Sequence, residues 1–122
     1  MPKTTTIEEL LAAWIEALNR RDLDTHAGLY KEDATLFGSR AELSIGRPAI
    51  REYFAKLGSG VRVQHYHKPH IVQLSSEVAA TAAYVDFADG DAPSPYRMTW
   101  MLVKRDGNWL IAQHHGSPRI EA

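Results

Sequence analysis

The chain has 122 residues, 44% hydrophobic and 24% charged, with a formal net charge of −1 and no cysteine. That size and mixture suit one globular domain over residues 1–122. Near-neutral charge argues against nucleic acid as a partner, missing cysteines exclude disulfides and thiolate metal sites, and no apolar run is long enough to span a membrane, so a cytoplasmic protein with no membrane partner is expected.

In chain order, Thr5 or Thr6 with Glu8 or Glu9 three residues on makes a capping box. Ile7, Leu10, Leu11, Trp14, Ile15 and Leu18 then recur at helical spacing to about Asn19. Asp22 or Asp24 can cap a short second helix running through Leu29 and Tyr30, and Ala34–Phe37 reads as a strand. Residues 38–46 read as a loop or edge hairpin. A third helix is expected over 46–58, with Pro48 at its first turn and Gly58 in the left-handed position after its last. From Val61 the period becomes two, predicting strands over 61–74, 77–88, 96–105 and 109–115, the last two joined by an Asp106-Gly107 hairpin turn. Helices followed by an antiparallel meander define an α+β class.

Three stretches carry a family resemblance: WIEALNRRD (14–22), LYKEDAT (29–35) and GRPAIREYF (46–54), with the tail KRDGNWLIAQHHGS (104–117). Together they resemble the nuclear transport factor 2-like superfamily, in its SnoaL-like and calcium/calmodulin-dependent kinase II association-domain branches. The resemblance implies a cone, with three N-terminal helices packed on a strongly curved antiparallel sheet and a pocket at the open end. It also implies a homodimer formed through the outer face of the sheet. The steroid isomerase branch needs a carboxylate base and a first-helix tyrosine. Phe37, Gly38 and Trp14 stand at those places, which argues against that chemistry.

Candidate site residues follow from chemistry and alternation. Trp14, Phe54 and Trp100 can wall an apolar pocket, and Arg97 can hold the polar end of a ligand. Asp86 interrupts an apolar strand and is expected to meet Arg97 across the hairpin, as a structural pair or as part of a site. His65 and His67 share a strand face, at a spacing metals use, yet no acidic ligand lies at a telling distance and no metal or other cofactor is expected. His114 and His115 must point to opposite faces. Strict alternation puts His115 with Trp109 and Ile111, hence toward the pocket. Candidate proton-moving groups are therefore His115, His67 and Asp86.

Two functions fit these residues. One is a binder, or a cofactor-free isomerase-, lyase- or hydrolase-type enzyme, for a small carbonyl or carboxylate compound. The other is a free-standing oligomerisation module resembling the kinase association domain, with no catalysis.

Overall fold

The computed structural model describes residues 2–120. Helix α1 (Ile7–Asn19) starts in a complete capping box: the Glu9 amide donates to Thr6 Oγ1 and the Thr6 amide donates to Glu9 Oε1, both at 3.1 Å. Its stripe of Ile7, Leu10, Leu11, Trp14 and Leu18 is buried, which is what the helical spacing of these residues predicts. Helix α2 (Leu23–Gly28) is capped by Asp22, which accepts from the Thr25 amide. Strand β1 (Tyr30–Phe37) follows at once, so Tyr30 opens a strand instead of closing a helix. A two-residue edge strand β2 (Ser44–Ile45) pairs back onto it.

Helix α3 (Arg47–Ala55) has Pro48 in its first turn, where a missing N–H is harmless. The Arg47 guanidinium donates twice to the Tyr30 carbonyl, at 3.0 and 2.7 Å, tying the start of α3 to the start of β1. Gly58 is not in the left-handed region; α3 ends on Lys56 in ordinary helical geometry.

The long strand expected over 61–74 is two strands, β3 (Val61–Tyr66) and β4 (His70–Ser75), both pairing with β5 (Val78–Asp89). Pro69 lies in the break, where it donates no ladder hydrogen bond. Strands β6 (Ala92–Arg105) and β7 (Asn108–Pro118) complete a sheet in the order β2-β1-β7-β6-β5-β3, with β4 beside β5. Every pairing is antiparallel except β1 with β7, which is parallel.

The β6–β7 turn is built on Asp106 (φ 51°) and Gly107 (φ 80°), the left-handed pair of a type I′ turn. Gly107→Ala forces a Cβ into that conformation and is expected to lower stability by about 1 kcal/mol in urea unfolding, without changing the far-ultraviolet spectrum.

One irregularity in β7 sets which of its residues face the core. Leu102 pairs with Ile111, but Met101 pairs with Gln113, so Ala112 is an extra residue on the β7 side. Before this bulge the inward residues are Trp109 and Ile111; after it they are His114 and Gly116. A single inserted residue switches which parity faces the core. The helices cover that inner face, and the core joins Trp14, Leu18, Tyr30, Leu36, Val85 and Trp100 among others. No helix among the described residues is long and apolar enough to cross a membrane.

Candidate functional site

Between α3 and the inner face of the sheet lies a cavity of about 150 Å³, open at one end. Its walls are mostly apolar, with Leu36, Phe54, Leu57, Phe87 and Met98 prominent. Polar groups are few. Tyr53 lies near the mouth, its hydroxyl accepting from the Ser39 amide at 2.9 Å, and Asp89 and Ser94 sit on the rim. Deep in the cavity is His114, 2% exposed, brought inward by the bulge at Ala112.

The His114 ring is held on every side. Trp100 stacks on one face with ring centres 5.1 Å apart, and Trp14 meets it edge-on at 5.7 Å. Nδ1 lies 2.9 Å from the Tyr30 hydroxyl, which itself accepts from Trp14 Nε1–H at 2.9 Å. Nε2 lies 3.4 Å from the Met98 sulfur. Burial pushes the His114 pKa down to about 3, and the charges of His26 and His115 push the same way. His26, packed against Phe54 and Trp14, is likewise driven to about 3 by burial. Burial also raises the Tyr30 phenol, so all three groups are uncharged at neutral pH.

The sequence-derived candidates divide between the two faces of the sheet. Phe54 lines the cavity. Trp14 and Trp100, 1% and 2% exposed, are core residues packed behind His114 and do not line it. His115 is exposed on the outer face, paired with Thr99 and tilted against Phe37. This corrects the alternation argument: the bulge at Ala112 reverses the parity on which it rested.

Arg97 is also on the outer face, opposite Tyr84, and its Nε–H donates to Ser117 Oγ at 3.3 Å. It therefore cannot reach a ligand in the cavity. The Asp86–Arg97 pair does not form either, because the β5–β6 register sets Asp86 opposite Pro95. Asp86 instead accepts from His67 Nε2–H at 2.9 Å, with the Arg119 guanidinium 3.6 Å away. The His67 hydrogen bond, helped by Arg119, holds the Asp86 carboxyl below the usual carboxylate range. His65 and His67 do share a face, their rings edge to face at 4.3 Å. Among the described residues no three metal-ligating side chains converge.

The residues that alternation passed over are His114, Tyr30 and Met98. A strictly periodic strand cannot carry both Ile111 and His114 inward, so only the cross-strand pairing exposes them. The one local sign is Gly116, whose missing Cβ leaves room for Met98, 3.2 Å from where that atom would stand.

A model of the SnoaL-like domain family matches residues 7–121. Among solved structures, a ketosteroid isomerase-like protein from Erwinia carotovora atroseptica aligns over 94% of this chain and 95% of its own, at 22% identity and TM-score 0.77. A provisionally named scytalone dehydratase from Novosphingobium aromaticivorans aligns over 93% and 82%, at 17% identity and TM-score 0.83. A provisionally named calcium/calmodulin dependent protein kinase II association domain from Xanthomonas campestris aligns over 95% and 87%, at 24% identity and TM-score 0.78. At these identities the likeness is one of fold. No curated protein matches the sequence significantly.

Proposed function

The chain belongs to the SnoaL-like domain family, and from that premise we propose that it is a single-domain binder of a small, largely apolar molecule, held in the cavity between α3 and the sheet. The observation that carries this reading is the cavity itself: apolar walls with one buried polar side chain, His114, at the inner end. Small-molecule sites have this character, a greasy enclosure with a few placed polar groups. About 150 Å³ matches a cavity that takes a single six-membered ring.

The geometry favours binding over proton abstraction. A histidine whose pKa is near 3 is a poor base at neutral pH, and among the described residues the only carboxylate lining the cavity is Asp89, exposed at the rim. Any reaction would have to rely on polarising a bound group instead of removing its proton.

A thermal-shift panel of small cyclic ketones, esters, alcohols and hydrocarbons tests the reading. A ligand present at a hundred times its Kd should raise stability by about 2.7 kcal/mol, or about 10 °C for a domain of this size. Ser94→Trp, which places an indole at the mouth, should abolish the shift. Arg97→Ala should leave it intact, because that side chain lies on the other face. A flat response across the panel would remove the binder reading.

The second reading, self-association, draws on a different observation. The outer face of the sheet leaves Phe37 44%, Val72 44% and Tyr84 53% exposed, an apolar surface that a second copy of the chain would cover. We assign the homodimer to this face. Light scattering should report twice the chain mass, falling to the chain mass in Tyr84→Asp.

A further inference from the structure

We infer that the hydrogen bonds Trp14→Tyr30→His114 lock His114 in a single neutral tautomer whose Nε2–H points into the cavity, so that the ligand it selects is a neutral hydrogen-bond acceptor: a ketone, ester or lactone oxygen. This inference rests on the binding reading above and specifies its chemistry.

The available protons fix the tautomer. An indole nitrogen can only donate, so at 2.9 Å the Tyr30 oxygen must be the acceptor from Trp14. Tyr30 has one hydroxyl proton and is fully buried, and the other polar atom within hydrogen-bonding distance of its oxygen is His114 Nδ1 at 2.9 Å. If Nδ1 carried the ring proton it would donate to the same oxygen, and the phenolic proton would be left buried with no acceptor. Folded proteins avoid an unpaired buried donor, because it loses its water partners and gains none. The alternative satisfies every group: Trp14 donates to Tyr30, Tyr30 donates to Nδ1, and the ring proton sits on Nε2.

The same geometry aims that proton. Tyr30 does not line the cavity, whereas Met98 does, so the Nε2 edge of the ring is the cavity edge. What it meets there is a thioether sulfur at 3.4 Å, a weak acceptor. A carbonyl oxygen entering the cavity would replace a poor partner with a good one. An amine or an alcohol whose proton must be accepted finds no buried acceptor at this position, and a carboxylate finds one uncharged donor and no cation among the cavity residues. Fixing the ring by stacking and by Tyr30 means the donor is oriented before the ligand arrives.

Two measurements decide the matter. In the wild-type protein labelled with nitrogen-15 in histidine, long-range proton–nitrogen correlation spectra at pH 7 should show His114, assigned by its loss in His114→Gln, protonated on Nε2. A spectrum with the proton on Nδ1 overturns the inference. The second uses cyclohexanone, methylenecyclohexane, which has the same shape but no acceptor, and cyclohexylammonium. Cyclohexanone should bind about tenfold more tightly than methylenecyclohexane, the equivalent of one added hydrogen bond, and cyclohexylammonium should not bind. In Met98→Leu, which removes the competing sulfur, that preference should grow by about threefold. Equal binding of cyclohexanone and methylenecyclohexane overturns the acceptor assignment but leaves the cavity a binding site. Absence of binding by all three removes the binding reading, and the acceptor assignment falls with it.

Discussion

Acidification from pH 7 to pH 4 is expected to destabilise this protein steeply, by roughly 3 kcal/mol for each of two histidines. His26 and His114 are buried, and both are held near pKa 3, against 6.5 for an ordinary imidazole. Between those values the unfolded chain takes up a proton at each site and the folded chain does not. The unfolded state therefore binds more protons, and stability falls as pH falls through 6.5 toward 3. The carboxylates with lowered values, Glu9, Asp22, Asp33 and Asp86, titrate below the ordinary carboxylate range, so the interval from 6.5 to about 4.5 belongs to the two histidines. Urea unfolding at half-unit steps of pH should give a slope approaching two protons. His26→Phe should halve it, because His26 contributes no hydrogen bond from its buried Nε2 and a phenyl ring suits its neighbours Phe54 and Trp14. Stability independent of pH across that interval would mean that these rings are hydrated and protonate in place.

Deletion of Ala112 is expected to leave the protein folded with the inward residues of β7 still inward. The bulge lets Trp109 and Ile111 face inward before it and His114 and Gly116 after it. Without the extra residue Ile111 and His114 stand two apart, so plain alternation carries all four inward opposite the same partners on β6, and the Tyr30–His114 hydrogen bond is kept. The cost is the local twist that the bulge adds, below about 3 kcal/mol. The large loss belongs to Trp109→Ala, which empties a buried indole site on the same face and should cost roughly 3–5 kcal/mol, comparable with the whole stability of a small domain. Urea unfolding of both variants checks this. A deletion variant that fails to fold, or that buries His115 in place of His114, would show that this parity does not set the faces of β7.

Much of the architecture was legible along the chain because the physics that sets it is local. Thr6 and Glu9 close a capping box over three residues, Pro48 suits a first helical turn, and Asp106-Gly107 adopts the backbone a two-residue hairpin requires. The apolar stripe of α1 is a matter of 3.6-residue spacing, and the resemblance to the superfamily is carried by the order of helices before strands together with residues 14–22, 29–35, 46–54 and 104–117. Even the break at Pro69 has a local cause, although the pattern on either side of it reads as a continuous strand.

The candidate site was legible only in its residue types. Phe54 lines the cavity because it lies on the buried face of α3, a property of helical spacing. Asp86 faces His67 and Arg119 instead of Arg97 because the β5–β6 register, a relation between strands, places Pro95 opposite it. Alternation carried Trp109 and Ile111 correctly and then failed at Ala112, since a bulge is defined by two residues meeting one across a strand pair and leaves no mark on the strand's own pattern. The sequence by itself determined three helices, a curved sheet and a family; tertiary pairing decided that His114 turns inward to Tyr30 while His115 stays in solvent. The physical reason is that side-chain facing in a sheet has a period of two, so a single cross-strand insertion reverses every assignment beyond it.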